Sequence, residues 1–343
     1  MNILENCSLK ERNTFGIAAT AKRFVEYDSV DELQMLVGRR AAEDDTTPLL
    51  HIGGGSNLLF LNDFNGTVLH SAIKDITVTA DEGEYVYVRV GAGVVWDEWV
   101  QYAVDSSWYG LENLSLIPGE VGASAVQNIG AYGAEAKDFI LFVDTVDLQT
   151  GAIRHFTNEE CRYGYRDSIF KNELRGRYAV THVHFRLSHS FRPRLDYGGI
   201  RRALEERGID EVNLTAEQLR QTIIEIRREK LPDPAVLGNA GSFFMNPIVD
   251  RSVFERIAAT YPDAPHYDID AGHVKVPAGW MIEQCGWKGK TLGRAGVYEK
   301  QALVLVNRGS ATGQEVSNLC KTIQAEVEAR FGIRIHPEVN FIS

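Results

Sequence analysis

Long apolar runs are absent from this sequence. Nowhere in its 343 residues does a stretch approach the roughly 18 apolar residues that cross a bilayer, so we expect no membrane insertion. The N-terminus also lacks a charged region followed by an apolar stretch and a small-residue cleavage site. We therefore expect a soluble protein of the cytoplasm.

Cysteine is scarce, and positive charge is outnumbered. The four cysteines are far apart and form no Cys-x-x-Cys pair, so we expect reduced, buried thiols and neither a disulfide framework nor a metal site. Lysine and arginine total 36 against 47 aspartate and glutamate residues, a formal net charge of −11. Such a charge repels phosphodiester backbones, so we expect no nucleic-acid partner. A small anionic ligand can still bind where a few cations and backbone N–H groups converge.

Short β-like runs dominate the first half of the chain, and helices become prominent in the second. The clearest helix covers 216–230, because Thr215 and Gln218 form a capping box and Pro232 cannot continue a helix. The composition shift near 195–205 predicts a domain boundary, and a weaker break lies near 70. Further helices are predicted at 96–104, 200–207 and 313–330, and strands at 47–52, 58–61, 85–90, 142–148, 178–187 and 333–342.

Two common nucleotide-binding motifs are missing. The segment 53–57, Gly-Gly-Gly-Ser-Asn, lies between two apolar runs and matches neither a Gly-x-Gly-x-x-Gly fingerprint opening a helix nor a P-loop. Three consecutive glycines still let the backbone approach a ligand and turn its N–H groups inward, so the segment would fit a pyrophosphate. A tight hairpin turn is the alternative, and the segment alone favours the turn.

A second segment, 118–133, strengthens the ligand-binding interpretation. It holds four glycines and three alanines with one charge. Its side chains are too small to form a hydrophobic core alone, and the segment is too apolar to be a solvated linker. We expect a loop that lays its backbone along a flat aromatic ring system, with Gln127 and Asn128 contacting the polar ring edges.

Two polar clusters lie further along the chain. Arg166 lies between an aromatic residue and a carboxylate, which is typical of either a surface salt bridge or a ligand clamp. Ser242 lies among small residues that would expose its hydroxyl. The Gly-x-Ser-x-Gly elbow of a hydrolase is absent, because Phe244 occupies the last position, and no histidine is an obvious partner.

Taken together, these blocks resemble the UDP-N-acetylenolpyruvoylglucosamine reductase (MurB) family, in the subgroup with a mobile tyrosine loop. The blocks occur in family order over nearly the whole chain, although individually only those around Gln127 and Ser242 are specific. They cover 13–16, 53–57, 118–133, 165–168, 230–232, 238–244, 278–280, 301–303 and 337–339.

The resemblance implies an α+β fold, with a two-part FAD-binding domain of the p-cresol methylhydroxylase type plus a C-terminal α+β substrate-binding domain. We expect FAD-binding subdomain 1 at 1–70, joined by the strand 331–343, subdomain 2 at 71–200, and the UDP-sugar domain at 201–330. The implied activity is NADPH-dependent reduction of UDP-N-acetylglucosamine enolpyruvate to UDP-N-acetylmuramate in peptidoglycan precursor synthesis. FAD would be held non-covalently, and NADPH would be the electron donor.

The resemblance also assigns roles to individual residues. It makes Ser242 the proton donor, Glu338 the second acid of the site and Arg166 the group that stabilises the developing enolate. Expected substrate contacts are Tyr165, Lys230, Asn246, Gln301 and the mobile Tyr197, whose neighbours Gly198 and Gly199 would give it hinge freedom. Expected FAD contacts are Gly53, Gly54, Gly55, Ser56, Asn57, Pro118, Gly119, Ser124, Gln127, Asn128 and Gly130.

Two departures and two alternatives remain open. Ala125 stands where the family usually has a proline, and Asn340 stands where some relatives have an arginine, so the resemblance does not extend to a charge contact at Asn340. A flavin oxidase of the same fold is one alternative, but such oxidases commonly attach FAD through His or Cys, and both glycine-rich segments lack these residues. A non-catalytic flavin-binding protein is the other, and the retained catalytic set argues against it. We expect a monomer.

Overall fold

The computed structural model describes residues 1–197 and 199–343, so Gly198 lies outside it. The described residues form helices and strands in a mixed order. The helices are α1 Val30–Ala42, α2 Trp96–Asp105, α3 Val121–Gln127, α4 Ile200–Glu206, α5 Ala216–Lys230, α6 Arg251–Thr260, α7 Ala278–Gln284 and α8 Gly313–Phe331.

The strands are distributed along the whole chain. In chain order they are β1 Asn2–Ser8, β2 Thr20–Tyr27, β3 Leu49–Ile52, β4 Leu58–Phe60, β5 Phe64–Ser71, β6 Ile76–Glu82, β7 Tyr85–Gly91, β8 Gly130–Ala131, β9 Ala134–Glu135, β10 Ile140–Asp147, β11 Ile153–Thr157, β12 Tyr178–Ser188, β13 Asn239–Ser242, β14 Ile248–Asp250, β15 Tyr267–Asp268, β16 His273–Lys275, β17 Thr291–Leu292, β18 Ala295–Val297, β19 Val304–Asn307 and β20 Asn340–Ile342.

The chain divides into two compact units. The first unit comprises Met1–Cys7, Ala21–Gly54 and Asn65–Glu229, and the second comprises Ser8–Thr20, Gly55–Phe64 and Lys230–Ser343. The expected division into FAD-binding subdomains at 1–70 and 71–200 and a UDP-sugar domain at 201–330 stays a prediction.

The larger sheet of the first unit has the order β11-β10-β12-β7-β6, and its neighbouring strands are antiparallel. Side chains of β7 alternate in burial because successive residues of a strand point to opposite faces. The buried face packs against α2, whose Trp99 ring lies 5.5 Å from that of Phe185 in β12. This packing anchors α2 and the segment that follows it.

The smaller sheet of the first unit has the order β1-β2-β5-β3. Strands β3 and β5 are parallel, and their register places Ile52 opposite His70. Helix α1 begins at the N-cap Ser29, whose side chain accepts a hydrogen bond from the backbone N–H of Glu32, and it buries Leu33 and other apolar residues in the core below the sheet. The parallel pair fixes where β3 ends and the glycine segment begins.

The second unit contains a sheet of order β13-β19-β18-β17, a sheet of order β14-β16-β15 and the parallel pair β20-β4. Helix α8 packs on β18 and β19. A capping box formed by Thr312 and Glu315 begins this helix, and the left-handed residue Gly332 ends it.

Several helices and strands predicted from the sequence are confirmed. Helix α5 has the predicted bounds, and its capping box is present, with reciprocal hydrogen bonds of 3.0 and 3.2 Å joining Thr215 and Gln218. The predicted strands at 85–90, 142–148 and 178–187 match β7, β10 and β12 to within two residues at each end. None of the helices in the described residues has both the length and the apolar character needed to cross a bilayer.

Other expectations are wrong. The segment 118–133 is not a continuous loop, because Val121–Gln127 forms α3. Its small residues allow the helix to lie close to its neighbours, since a Cβ on Gly122 would be only 2.7 Å from the Cβ of Ala92. The final strand covers Asn340–Ile342 and not 333–342, and Pro337 forms only an isolated bridge with Phe244.

The expectation of buried thiols holds for two of the four cysteines. Cys161 and Cys320 are buried, whereas Cys7 and Cys285 are half-buried, and no disulfide joins any of the four. Burial raises the pKa of Cys161 to about 11 and that of Cys320 to about 12. These two thiols are therefore protonated and unreactive near neutral pH.

Candidate functional site

In the first unit, Gly53 and Gly54 of the glycine segment lie against the segment 118–133. Gly53 and Gly54 follow β3 directly. A Cβ on Gly53 would lie 3.1 Å from Glu120 Oε2, and one on Gly54 would lie 3.5 Å from the Cα of Gly119. The structure therefore brings two of the predicted cofactor segments together. Pro118, just before this contact, is exposed.

In the second unit, the other half of the glycine segment is joined to the region of Glu338. Gly55 has φ +65°, and a Cβ there would lie 2.0 Å from the carbonyl oxygen of Arg12, so only glycine fits. Asn57 donates its side-chain amide to the carbonyl of Glu338 at 3.3 Å and accepts from the backbone N–H of Asn340 at 3.0 Å. Ser56, before Asn57, is half-buried.

The polar residues of α3 have different environments. The hydroxyl of Ser124 donates to the carbonyl of Val121 at 2.6 Å, inside the helix itself. Asn128 is fully buried in the left-handed conformation that ends the helix, and its amide donates to Gly164 and Glu135 while its oxygen accepts from Lys137. Protein groups thus satisfy both side chains.

Gln127 is different, and it provides a test of fit for a flavin. Its Oε1 atom is buried and has no hydrogen-bond partner in the described residues. A buried acceptor without a donor costs about 1–3 kcal/mol, so native structures rarely retain one unless a ligand or water supplies the donor. The flavin ring of FAD carries such an N–H donor. The residues of this segment therefore fit the group that the resemblance implies.

Arg166 occupies an unusual backbone position. Its φ of +56° is in the left-handed region, which is uncommon for a residue with a side chain. Its Nη2 donates to the carbonyl of Gly130 at 2.6 Å, and its guanidinium lies 5.5 Å from the ring centre of Tyr165. Lys171 donates to the Arg166 carbonyl at 2.7 Å. These contacts hold the guanidinium at β8.

Sequence reasoning missed a second cation near Arg166. Arg227 in α5 donates to the carbonyl of Leu116 at 3.3 Å and hydrogen-bonds to Tyr132. Burial lowers the pKa of Arg227, and the positive charge of Arg166 lowers it further. Burial also raises the pKa of the Tyr132 hydroxyl. Two partly desolvated guanidinium groups close enough to repel one another favour an anionic ligand.

Tyr197 lies at the surface of the first unit. Its side chain is 49% exposed, and a Cβ on Gly133 would lie 3.6 Å from the Cβ of Tyr197. Of the two glycines expected to act as a hinge, Gly198 lies outside the described residues, and Gly199 has φ +77°. The structure thus places the predicted mobile tyrosine beside the end of the second small-residue segment.

Ser242 is presented by a distortion of β13. The pairing of β13 with β19 shifts register between Asn239 and Ser242, and Gly241 within this bulge has φ +66°. The buried Asn239 holds the bulge, because its Oδ1 accepts from the N–H of Gly241 at 2.9 Å and its amide donates to two backbone carbonyls. Ser242 is exposed as a result.

Glu338 lies alongside this strand in the second unit. Its backbone N–H donates to the carbonyl of Phe243 at 2.8 Å, and the N–H of Met245 donates to the carbonyl of His336 at 2.9 Å. The fully buried rings of Phe243 and Phe244 anchor the residues that follow Ser242. The two acids that the resemblance assigns therefore belong to adjacent, hydrogen-bonded segments.

The remaining predicted substrate residues also belong to the second unit. Asn246 Oδ1 accepts from the N–H of Ala278, the first residue of α7, at 2.9 Å. Gln301 Oε1 would lie 3.1 Å from a Cβ on Gly279, the next residue of that helix. Two predicted residues thus converge at the beginning of α7. Lys230 is exposed at the end of α5.

Two family models match the chain. A model described as the C-terminal domain of UDP-N-acetylenolpyruvoylglucosamine reductase matches residues 233–342, and one described as an FAD binding domain matches residues 21–157.

Relatives named UDP-N-acetylenolpyruvoylglucosamine reductase match nearly the whole chain. One from Bacteroides fragilis (strain YCH46) is 58% identical over 335 residues, which are 98% of this chain and 98% of the relative. One from Porphyromonas gingivalis (strain W83) is 47% identical over 342 residues and covers 100% of both chains.

Solved structures show the same fold at low sequence identity. A crystal structure of UDP-N-acetylenolpyruvylglucosamine reductase (MurB) from Thermus caldophilus is 22% identical, has a TM-score of 0.67, and matches 100% of this chain and 98% of its own. A structure of p-cresol methylhydroxylase with substrate bound is 13% identical, has a TM-score of 0.50, and matches 96% of this chain and 84% of its own. The α+β fold with an FAD-binding domain of the p-cresol methylhydroxylase type is confirmed.

Proposed function

The chain belongs to the UDP-N-acetylenolpyruvoylglucosamine reductase family, and from this premise we propose that it reduces UDP-N-acetylglucosamine enolpyruvate to UDP-N-acetylmuramate in peptidoglycan precursor synthesis. The chemistry that bound FAD supplies is hydride transfer, from NADPH and then to the enolpyruvyl group. The residues of this chain must bind the substrate, stabilise negative charge and deliver a proton. The observation that carries the proposal is the exposed Ser242 on its glycine bulge, beside the segment of Glu338.

Negative charge develops when the enolpyruvyl double bond is reduced, because the double bond is conjugated to a carboxylate. Addition of hydride at the β-carbon leaves an enolate at the α-carbon. Arg166 fits the task of stabilising the enolate, since its guanidinium is already oriented by the Gly130 carbonyl. A preorganised donor of this kind contributes about 3 to 4 kcal/mol. The charge of Arg227 adds to that of Arg166.

The proton would come from Ser242. A serine hydroxyl has a high pKa, but an enolate is a base strong enough to take its proton. The left-handed Gly241 and the hydrogen bonds of Asn239 hold the hydroxyl outward without help from a ligand. Glu338, in its protonated form, would share the stabilisation of the enolate.

The UDP-sugar and FAD would be held by the other predicted residues. We assign substrate binding to Asn246 and Gln301 at the beginning of α7, to the exposed Lys230, and to Tyr165 and the mobile Tyr197. The two halves of the glycine segment and Gln127 would hold FAD. The division into FAD-binding subdomains at 1–70 and 71–200 and a UDP-sugar domain at 201–330 belongs to the same proposal.

A spectral titration of the purified protein tests this proposal. We expect a yellow protein whose FAD is released on denaturation, bleached by NADPH without oxygen, and recoloured by UDP-N-acetylglucosamine enolpyruvate. A flavin oxidase of the same fold would instead be recoloured by oxygen and not by the enolpyruvyl substrate, and a non-catalytic flavin-binding protein would not be bleached by NADPH. Either result would overturn the proposed activity.

The same proposal includes a cytoplasmic location and a monomeric state. Both substrates, NADPH and the UDP-sugar, are small soluble molecules, and the described residues contain no helix able to cross a membrane. Light scattering coupled to size-exclusion chromatography measures the mass in solution. A mass of 38.3 kDa is the expected result.

A further inference from the structure

A histidine in the first unit is hydrogen-bonded to two carboxylates immediately behind the glycine segment. The parallel register of β3 and β5 places His70 opposite Ile52, the residue that precedes Gly53. Its Nδ1 lies 2.9 Å from Glu26 Oε2, and its Nε2 lies 2.9 Å from Glu120 Oε1. A neutral imidazole has only one N–H, so two carboxylate acceptors are satisfied only by the imidazolium form.

The carboxylate of Glu120 lies directly against the glycine segment. While Oε1 faces His70, Oε2 would lie 3.1 Å from a Cβ on Gly53, and Oε1 would lie 3.8 Å from a Cβ on Gly54. The Glu120 side chain is only 11% exposed, so water screens its charge poorly. An acidic side chain thus lies beside the backbone that is proposed to hold the pyrophosphate of FAD, which is itself negatively charged.

We propose that His70 is a positioning residue for FAD: its imidazolium neutralises Glu120 and holds that carboxylate behind the Gly53–Gly54 turn, so that the turn accepts a pyrophosphate. The inference rests on the proposed binding of FAD at this turn. Without the imidazolium, Glu120 would present an unpaired negative charge to the cofactor, and like charges brought together in a partly buried site strongly oppose binding.

The arrangement makes FAD binding depend on pH. Burial by itself lowers the pKa of His70, but the hydrogen bonds and charges of Glu120 and Glu26 outweigh burial and raise that pKa above its ordinary value. A group whose pKa is raised on folding stabilises the folded state fully below its ordinary pKa. This stabilisation is lost as the pH rises through the raised pKa. The anionic cofactor binds more weakly to the site once the imidazolium has lost its proton, so FAD affinity should decrease as the pH rises through the raised pKa of His70.

The other groups around His70 do not reverse this direction. Burial and the positive charge of His70 lower the pKa of the neighbouring His51 to about 4, so His51 is neutral in this range. Burial raises the pKa of Tyr27, which hydrogen-bonds to His51, so its hydroxyl stays protonated. Phe24, which stacks on His70 with ring centres 6.2 Å apart, carries no charge.

The test is a set of FAD dissociation constants, measured by fluorescence on the full chain freed of FAD, for four variants. His70→Gln should weaken FAD binding at neutral pH by at least about tenfold, because Glu120 stays charged. Glu120→Gln should bind FAD at least as tightly as the native chain. The double variant should have an FAD dissociation constant within about threefold of that of Glu120→Gln, because the charge that His70 neutralises is gone.

His184→Gln is the matched control. His184 in β12 pairs with Asp144 in β10 at 2.8 Å, and this variant should bind FAD like the native chain.

A purely structural role for His70 gives different results. The double variant would then bind FAD as weakly as His70→Gln, which would overturn the inference. A native FAD affinity that is constant from about pH 6 to about pH 9 would also overturn the inference. So would a pH dependence of FAD affinity that is the same in Glu120→Gln as in the native chain. Both of these proteins retain His70. A native chain that binds no FAD at any pH would instead overturn the proposed function.

Discussion

Arg166 donates a 2.6 Å hydrogen bond to the carbonyl of Gly130, and the same glycine leaves no room for a side chain beside that arginine. A Cβ on Gly130 would lie 2.9 Å from Arg166 Nη1 and 2.9 Å from the carbonyl oxygen of Ala134. The carbonyl of Gly130 in β8 therefore orients the guanidinium of Arg166. The guanidinium fits there only because Gly130 has no side chain. The relationship makes Gly130 a sensitive test of the role of Arg166.

Gly130→Ala should displace the Arg166 guanidinium and slow substrate reduction by about 10- to 100-fold, part of the contribution of an oriented cation. Anaerobic stopped-flow absorbance of the step with the enolpyruvyl substrate measures the effect. Gly164→Ala is the matched control, because a Cβ there makes only an ordinary 3.5 Å contact with Asp167. Equal rates in the two variants would contradict an orienting role for Gly130.

Ser242→Ala should separate the two halves of the catalytic cycle. NADPH should still bleach the flavin at close to the native rate, because that step needs no proton from Ser242. Recolouring by the enolpyruvyl substrate should slow by about 10² to 10⁴, the usual contribution of a positioned acid. The control Ser252→Ala changes an exposed serine of α6 in the same unit and should alter neither step. Recolouring at the native rate in a folded Ser242→Ala protein would rule out Ser242 as the proton donor.

Gly241→Ala should affect both stability and the position of Ser242. At φ +66° an alanine Cβ is strained, which costs roughly 1 to 2 kcal/mol. Denaturant unfolding measures this cost, and a Gly272→Ala variant, at a glycine without positive φ, is the comparison. Substrate reduction should also slow, because relief of the strain would flatten the bulge. An unchanged midpoint and an unchanged rate would show that the bulge is not needed.

Tyr197→Phe should weaken substrate binding while flavin reduction by NADPH stays nearly native. The hydroxyl belongs to a half-exposed side chain, so its removal leaves the core of the first unit intact. The concentration of enolpyruvyl substrate that gives half-maximal recolouring rate is the quantity to measure. Equal losses in both steps would indicate a structural role for Tyr197.

The sequence predicts best where the signal is local. The α5 boundaries follow from Thr215, Gln218 and Pro232, which act within one turn of the helix ends. Helix α3 escaped prediction because its one glycine and two alanines leave it without a clear apolar periodicity, and its position is fixed by packing at Ala92. Packing between residues that are distant in sequence cannot be predicted from a short stretch of neighbouring residues.

The same contrast applies to the candidate site. Ser242 was found because its block is specific, but the bulge that exposes it depends on pairing with β19, more than 60 residues away. Arg227 has the appearance of an ordinary solvated helix residue, and only the fold brings it near Arg166. The pair formed by His70 and Glu120 depends on the register of β5 with β3, which the sequence pattern does not specify.

The parallel pair of β4 and β20 has a consequence for the order in which the protein can be assembled. Asn57 and Glu338, joined by a hydrogen bond, are separated by 281 positions, so this contact forms only after the whole stretch between them has left the ribosome. Contacts over such separations carry a large entropic cost and form late. Until β20 emerges, β4 has an unpaired edge that invites association with other nascent chains. A fragment beginning at residue 230 would lack β4 altogether, so we expect it to aggregate unless residues 55–64 are supplied with it.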